Sequence, residues 1–454
     1  MQKKSIGFGF RGWMLILYQA IAYITFQVFT QYPLNILSDF YGGATKVSGI
    51  YSTCAIVGIV IQIILVSFIS KMKSIKAFGS ILGVISIVLA FIVAAAAPGP
   101  LWYAAYAVIN VVAVLYATLS LGLLVGQWFP TRKGTVMGIA TLAFPIANGL
   151  LGPFATAVFS KLGMAQAMGQ IPVIFGVGGY VFSAFLPYLI ISIVGWLIGL
   201  IFVKDYPEQC GAYRDNDKSL TPEIANAIMM AEIENKKTSV WTYINTIKCK
   251  EFWFGTIAVG GLLSCAIGLM SQSMQIINAG VGEEKYSAVM ASVMIFGCIG
   301  SYVIGLIDTK IGTKKAMIIS CVLMVVAGVL GLLGNGMVLW IAMIFVALFM
   351  GASSNFGVSL CAQYWRREDF GRVFALMSPI GSAISSASPV VIATLLFGAT
   401  GYKGHGGAFA FVLVFGIVAL ILMLAFSPKS IKARDDKYRE KAGKPLDDAL
   451  VGRK

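Results

Sequence analysis

Few residues of this sequence carry a charge. Asp, Glu, Lys and Arg together make up 12% of the 454 residues, whereas hydrophobic residues make up 58%, and the mean hydropathy is +0.85. In a soluble domain about a quarter of the residues are charged. This composition excludes a soluble globular protein and predicts a membrane protein.

Histidine and paired cysteines are also scarce. His405 is the single histidine, and the seven cysteines are scattered without a Cys-x-x-Cys pair. Scattered cysteines in apolar segments are usually small packing residues. Because the sequence contains no nucleophile elbow, metal-ligand cluster or phosphate-binding loop, we expect neither an enzyme nor a metal site or cofactor.

Long apolar runs dominate what the sequence does contain. About twelve runs reach roughly 20 residues, the length that crosses a bilayer core. The first run begins at Trp13 and ends in Gln31-Tyr32-Pro33, without a small-residue cleavage site. We therefore expect it to be the first transmembrane helix rather than a cleaved signal peptide.

Two loops occur twice in the chain. Gln127–Gly134 (QWFPTRKG) and Gln363–Gly371 (QYWRREDFG) are short, basic and aromatic, and each precedes a helix with a Pro-Ile pair. The basic loop Ser70–Ala77 corresponds to Asp308–Ala316 at nearly the same offset. Duplicated halves are typical of transporters. The predicted fold class is an all-α membrane protein with twelve transmembrane helices in two pseudo-symmetric six-helix halves.

A long polar segment separates the two halves. We predict a first half at 1–203, a cytoplasmic linker at 204–250, a second half at 251–427 and a charged cytoplasmic tail at 428–454. Because of its charge, the tail is expected to be disordered.

The linker contains the signal for a helix start. Thr221-Pro222-Glu223 combines an N-cap residue, a proline at the first helical position and an acid in the first turn. Apolar residues then follow at helical spacing: Ile224, Ile228, Met229 and Ile233. We predict an amphipathic helix that lies on the membrane surface and links the two halves.

Lysine and arginine are unevenly distributed between the loops. Most lie in loops on the side of the termini, while the opposite loops carry only Lys46, Lys161, Lys285 and Lys403. The positive-inside rule then predicts cytoplasmic termini and a multi-pass protein of the plasma membrane, which we expect to be a bacterial inner membrane. The net charge of +15 indicates contact with anionic lipid rather than with nucleic acid.

These loops resemble those of the major facilitator superfamily, and the resemblance covers nearly the whole chain. The family's signature loop corresponds to Gly305–Lys315 (GLIDTKIGTKK), with Asp308 one place before the usual acid and Thr309 in that acid's place. In the first-half copy Ser70 and Lys73 replace the acid and the glycine. The resemblance implies a protein that works as a monomer and has gating loops. The predicted gating residues are Arg132, Lys133, Asp308, Lys310 and Arg367.

One of the duplicated loops points to a branch of this superfamily. Trp128–Gly134 followed by Met137–Ala140 is similar to the oxalate/formate antiporter and monocarboxylate transporter branches. The similarity implies transport of small organic acids.

No charged residue lies at the centre of a predicted transmembrane helix. Proton relays need intramembrane ionisable groups, but the acids here lie at helix edges, as Asp39, Glu251 and Asp308 do. Oxalate-type members bind their dianion with basic residues in helices 8 and 11, which this chain lacks. Burying an unpaired charge costs several kcal/mol. We therefore expect exchange or facilitated diffusion, and neither proton symport nor a dianion.

Neutral polar residues form stripes on helices that the resemblance places around a central cavity. In helix 1, for example, Tyr23, Gln27 and Gln31 recur every four residues. Alternatively, such groups bond neighbouring helices, which we favour for the helix 11 serines, whereas the glutamines favour a cavity. The predicted cavity residues are Tyr23, Gln27, Gln31, Tyr106, Asn110, Asn148, Ser271, Gln272, Gln275, Asn355 and Ser382.

Four prolines lie inside the predicted helices 5 and 11. Pro145, Pro153, Pro379 and Pro389 free backbone carbonyls and create bending points, so we predict hinges there. Static kinks without motion are the alternative.

Two functions follow from these patterns. The first is a transporter that moves a monocarboxylate-like acid or an amphipathic compound by exchange or uniport. The alternative is a transporter-fold sensor or lipid-handling membrane protein that carries no solute.

Overall fold

The computed structural model describes residues 7–35, 38, 41–69, 74–96, 98–147, 149, 179–217, 219–237, 239–398 and 401–443. The predicted boundary between helices 5 and 6 lies outside these residues, as do Asn148 and Pro153.

Six helices precede the linker in the part of the chain that is described. They are α1 (10–35), α2 (Ala44–Ile69), α3 (Ile75–Ala95), α4 (Pro100–Trp128), α5 (Lys133–Ile146) and α6 (Gly179–Phe202). α3 begins after Ser74, whose hydroxyl accepts from the backbone N–H of Ala77 at 3.0 Å. α4 begins with Pro100, which needs no N–H at the first helical position.

Six further helices lie between the linker and the tail in the described residues. They are α7 (250–280), α8 (Tyr286–Ile311), α9 (Thr313–Leu333), α10 (337–364), α11 (367–396) and α12 (Gly406–Ala425). A short antiparallel hairpin, β1 (Phe397–Gly398) with β2 (Gly401–Tyr402), connects α11 to α12.

Nine of the described helices are long and apolar enough to cross a membrane, and the bent α10 makes a tenth. Their outward faces expose large apolar side chains, such as Val414, Ile421 and Leu424 on α12, each more than half exposed. Such a surface is suited to lipid rather than to water. The chain is therefore a multi-pass membrane protein.

Small residues let these helices pack closely. On α9, a Cβ at Gly331 would lie 2.0 Å from the ring of Phe409 on α12, and a Cβ at Gly328 would lie 2.8 Å from the Cα of Leu413. Lipid supplies no hydrophobic force between helices, so such close contacts stabilise the bundle.

The start of the linker binds the first half. The Asp205 carboxylate accepts from the Ser74 hydroxyl at 2.6 Å and from the backbone N–H of Lys76 at 2.8 Å, at the start of α3. The Asp215 carboxylate accepts from the backbone N–H groups of Thr131 and Arg132, just before α5. Carboxylates are stabilised at helix N-termini. We call this end of the bundle the linker end.

A helix does follow Thr221, as the sequence predicts. It spans Pro222–Lys237, and the Thr221 hydroxyl accepts from the N–H of Ile224 at 3.4 Å. Ile224, the first residue of the predicted apolar stripe, is half exposed, whereas Ala225 is buried. Arg214 pairs with Glu208 and with Glu232 of this linker helix, which ties the helix to the segment that binds the first half.

The prediction of a disordered tail is wrong for residues 428–441. Pro428–Lys441 forms a helix, and its Asp435 and Arg439 are buried. Arg439 pairs with Asp435, with Glu368 at 3.2 Å and with Asp369 at 2.9 Å. Burial alone would lower the pKa of Arg439, but the three carboxylates have the larger combined effect and raise it. Composition predicted disorder because it does not show these buried pairs.

The end of the linker binds the same network. The Ser239 hydroxyl donates to Asp369, and the indole N–H of Trp241 donates to Asp435 at 3.0 Å. Trp241 also packs edge-on against Trp365, just before α11. The linker therefore contacts both halves at one end of the bundle.

Candidate functional site

A cavity lies between the two halves. α1, α2, α4 and α5 supply one wall, and α7, α10 and α11 supply the other. The space among the lining side chains measures about 1010 Å³, open solvent at its mouth included. Every described residue that lines it is uncharged. A space of this size suits a small organic ligand.

The α1 wall contains a π-helical turn at Gln27–Gln31. Both glutamines at its ends line the cavity, together with Tyr23 one turn earlier. π-helical turns are rare inside α-helices and frequently lie at functional sites. The Gln31 amide donates to the Tyr51 hydroxyl of α2 at 3.0 Å.

A second π-helical turn lies in α4 at Leu115–Ser120. Thr118 of this turn lines the cavity. Sequence analysis missed both turns, because a pattern of apolar residues does not separate a single π turn from a regular helix.

The helices of the other wall are interrupted near the cavity. α7 breaks at Gln272, and α11 pauses at Ala387 between its segments. α10 bends by 47° between Ser353 and Phe356. Interruptions at these positions leave backbone groups outside regular helical bonding and allow bending.

Serine hydroxyls line much of the α10 and α11 wall. Ser382, the predicted cavity residue of α11, lines the cavity, and so do its neighbours Ser378, Ser385 and Ser386. Apolar contact is supplied by three phenylalanines and three methionines: Phe26, Phe144, Phe374, Met270, Met350 and Met377.

Two predicted cavity residues of α4 lie behind the wall rather than in it. The Tyr106 hydroxyl donates to the carbonyl of Thr30 at 2.7 Å, inside the π turn of α1. The Asn110 amide donates to the carbonyl of Tyr106 at 2.6 Å. Both are buried, and the Tyr106 contact holds the segment that carries Gln27 and Gln31.

Three predicted residues of α7 also lie outside the cavity lining. The Ser271 hydroxyl donates to the carbonyl of Gly268 at 2.8 Å. Gln272 is fully buried, and neither atom of its amide has a hydrogen-bond partner among the described residues. Gln275 lies in the following segment, Ser273–Gly280.

Asp308, one of the predicted gating residues, meets the start of α5 at the linker end. A Cβ at Gly134, the second residue of α5, would lie 2.7 Å from the Asp308 carboxylate of α8. Thr309 contacts the same turn, since its hydroxyl accepts from the N–H of Thr135 at 2.8 Å. Asp308 also accepts from the Thr313 hydroxyl at 2.5 Å. The acid in the shifted position thus faces the helix start.

The other gating residues take different positions. Lys133 is buried near Asp308, whereas Lys310 is exposed. The Arg132 guanidinium donates to the carbonyl of Gly7 at 3.1 Å and lies over the Phe8 ring. Arg367 begins α11, and its side chain is outside the described set.

Below this contact, α5 and α8 touch through small residues. A Cβ at Gly138 would lie 3.1 Å from the Cα of Gly305. The Ser301 hydroxyl donates to the carbonyl of Gly138 at 3.1 Å. The Asn355 amide of α10 donates to the Thr141 hydroxyl at 3.0 Å. Asn355 therefore joins the halves rather than lining the cavity. Sequence analysis missed Thr141 and Ser301, although the four-residue spacings of Gly134 with Gly138 and Ser301 with Gly305 are a signal for close packing.

Three of the four predicted hinge prolines lie within the described residues. Pro145 of α5 packs against Gly297 of α8, where a Cβ would lie 2.4 Å from the proline ring. Pro379 lies inside the first segment of α11, and Pro389 begins its second segment after the pause at Ala387.

Comparisons with known proteins identify the fold. Residues 252–452 match the model of the Major Facilitator Superfamily. No curated protein matches the sequence.

Several solved structures are similar over almost the whole chain. The proton:xylose symporter XylE, bound to 6-bromo-6-deoxy-D-glucose, has a TM-score of 0.71 at 12% identity, covering 93% of this chain and 98% of its own. The human organic anion transporter MFSD10 (TETRAN) has a TM-score of 0.60 at 12% identity, with coverages of 91% and 97%. The transporter FucP in its outward conformation has a TM-score of 0.58 at 13% identity, with the same coverages. The chain therefore has the major facilitator fold, and the predicted fold class is confirmed.

Proposed function

We propose that this chain is a secondary active or facilitative transporter that moves a small organic solute by alternating access. The observation that carries the proposal is the uncharged cavity that both halves share. Several helices of its walls have π turns, breaks or bends next to the cavity. A site between two halves with bendable walls is suited to being exposed to each side in turn.

The contacts at the linker end support two alternating states. α5 and α8 meet there through glycines and hydroxyl groups instead of large interlocked side chains. Such a contact can separate without exposing a large apolar surface. We propose that this contact closes the linker end in one state and separates in the other. We further propose that the predicted hinge prolines Pro145, Pro153, Pro379 and Pro389 let the helices bend between these states.

The absence of charge among the described cavity residues bears on whether transport is coupled to protons. Two similar structures, those of XylE and FucP, are named as proton symporters. In this chain no acidic residue is found among the described cavity residues. We therefore propose exchange or uniport, because a proton carried with the solute needs an ionisable group on its path.

The fold does not select the solute. The similar structures are named for a sugar in two cases and for organic anions in the third. The loop resemblance favours a monocarboxylate-like acid, and the uncharged cavity favours an amphipathic compound. We propose that the protein acts as a monomer in a plasma membrane with both termini cytoplasmic, which the basic loops of the linker end support.

Counterflow into proteoliposomes tests this function. Vesicles that contain the purified protein are loaded with unlabelled solute and diluted into labelled solute, with and without a pH gradient. We expect uptake that the internal solute accelerates and that the gradient does not change. Protein-free vesicles are the control. Uptake that stops without the gradient would contradict exchange and uniport, and solute binding without any uptake would favour a sensor.

A further inference from the structure

Hydroxyl groups on the α10 and α11 wall donate their protons to their own helices. Ser353 donates to the carbonyl of Met350 at 2.6 Å. Ser385 and Ser386 both donate to the carbonyl of Ser382, at 3.0 and 2.6 Å. A hydroxyl has one proton and two lone pairs. These three serines therefore present hydrogen-bond acceptors to the cavity.

The opposite wall contributes one more hydroxyl whose proton is engaged. The Thr118 hydroxyl donates to the carbonyl of Val114 at 2.7 Å in the π turn of α4. The amide N–H₂ of Gln31 donates to the hydroxyl of Tyr51 at 3.0 Å. Thr118 therefore offers only lone pairs to a ligand, whereas Gln31 keeps a second amide N–H and Tyr51 keeps its hydroxyl proton.

Three further serines of the cavity can bind either a hydrogen-bond donor or an acceptor of the ligand. The hydroxyls of Ser354, Ser378 and Ser382 make no hydrogen bond to another described residue, so they can donate or accept. They can hold either kind of polar group. The choice between solutes therefore rests on the hydroxyls whose protons are already engaged and on the charge of the cavity.

From this polarity we infer that the transported solute is an uncharged amphipathic molecule that donates O–H or N–H hydrogen bonds to the serines of α10 and α11. The inference rests on the proposed function and specifies its solute. The apolar part of the molecule packs against the phenylalanines and methionines of the cavity. Alcohols and primary amides have this chemistry.

A carboxylate fits the same cavity poorly. An ionised carboxylate only accepts hydrogen bonds, and four of the described lining hydroxyls already offer lone pairs. No lysine or arginine is present among the described lining residues to neutralise it. A buried anion without a partner is strongly disfavoured. The uncharged solute is therefore favoured over the monocarboxylate that the loop resemblance implies.

Three matched pairs of amide and acid test this inference. They are propionamide and propionate, 2-phenylacetamide and phenylacetate, and 4-phenylbutyramide and 4-phenylbutyrate. Binding to the purified full-length protein at pH 7 is measured by calorimetry, and counterflow is measured in parallel. We expect at least one amide to bind about tenfold or more tightly than its acid.

The outcomes separate this inference from the proposed function. If no amide binds more tightly than its acid, or if none of the six compounds binds, the inference is overturned. If an amide binds more tightly than its acid but shows no counterflow, the inferred ligand chemistry is supported and the transport proposal fails.

Two sets of variants extend the test to named side chains. Ser386→Ala removes one acceptor and should weaken amide binding about two- to tenfold. Its control is Ser320→Ala in α9, where the hydroxyl also donates to a carbonyl one turn earlier, that of Ala316, but outside the cavity. We expect the control to leave binding unchanged; equal effects would contradict a direct contact.

A charge switch provides the converse test. Ser382→Lys places a cation in the cavity and should reverse the preference toward the acid, while Ser382→Gln, similar in length but neutral, should keep the preference for the amide. Ser378→Lys repeats the test if Ser382→Lys does not fold. Retained amide preference in the lysine variant that folds would refute an electrostatic origin.

Discussion

The hydroxyl oxygen of Thr141 on α5 lies 2.8 Å from that of Ser301 on α8, across the interface of the two halves. Both hydroxyls also reach the α5 backbone, since Thr141 donates to Met137 at 2.8 Å and Ser301 donates to Gly138 at 3.1 Å. The two halves therefore meet at a backbone-to-backbone contact that has room for hydroxyls and hydrogens but not for larger groups.

The first prediction concerns the space at Gly138. A Cβ there would lie 3.0 Å from the carbonyl of Ser301, so Gly138→Leu forces α5 and α8 apart. Overpacking of this kind costs about 1–3 kcal/mol. We expect counterflow to fall at least about tenfold, because the closed state of the linker end is lost.

Gly49→Leu is the matched control, because Gly49 lies in a helix and a Cβ there has nothing within 4 Å. We expect near-normal counterflow from this variant. Normal counterflow from Gly138→Leu would show that the contact with α8 is dispensable.

The contact between Thr141 and Ser301 shows which structural features the sequence predicts and which it does not. The spacing of small residues marks a close-packed helix face, but it does not name the partner helix. The duplicated loops, the twelve helices and the start of the linker helix at Thr221 were predictable, because apolar run length and capping chemistry are local properties. The pairing of α5 with α8 depends on how the halves are arranged in space.

The candidate site shows the same limit. The stripe of Tyr23, Gln27 and Gln31 was found from spacing alone, and the π turn keeps both glutamines in the cavity wall. Tyr106 and Asn110 follow a similar stripe but bond to backbone carbonyls behind the wall. A polar stripe indicates that a helix face avoids lipid, and it does not decide between a cavity and a neighbouring helix.

The second prediction uses the contact between Thr135 and Thr309, whose hydroxyl oxygens lie 2.9 Å apart. Cysteines at both positions are close enough for a disulfide. We expect oxidation of Thr135→Cys/Thr309→Cys to lock the linker end and abolish counterflow, and a reducing agent to restore it.

The single variants Thr135→Cys and Thr309→Cys control for the native cysteines and should be insensitive to oxidation. If the oxidised double variant is fully cross-linked and still transports, the linker end does not open during transport.

The third prediction concerns the tail helix. Arg439→Met leaves the buried carboxylates of Glu368, Asp369 and Asp435 without this partner. Breaking a buried ion pair from one side costs about 3–5 kcal/mol. We expect a clear loss of thermal stability in detergent. Lys432→Met, an exposed position on the same helix, should change the melting temperature little. Equal melting temperatures for the two variants would contradict the docking of the tail.

The fourth prediction tests whether Tyr106 positions the cavity glutamines. Its hydroxyl donates to the carbonyl of Thr30 between Gln27 and Gln31, so Tyr106→Phe removes a buried hydrogen bond from the π turn, at a cost of about 0.5–1.5 kcal/mol. Tyr103→Phe is the control, since Tyr103 also donates to a carbonyl, that of Tyr41 at 3.1 Å, but lies outside the cavity lining. If the π turn positions the site, Tyr106→Phe weakens solute binding more than Tyr103→Phe at a similar loss of stability. If both variants lose stability equally and bind solute as the wild type does, the tyrosine supports the fold alone.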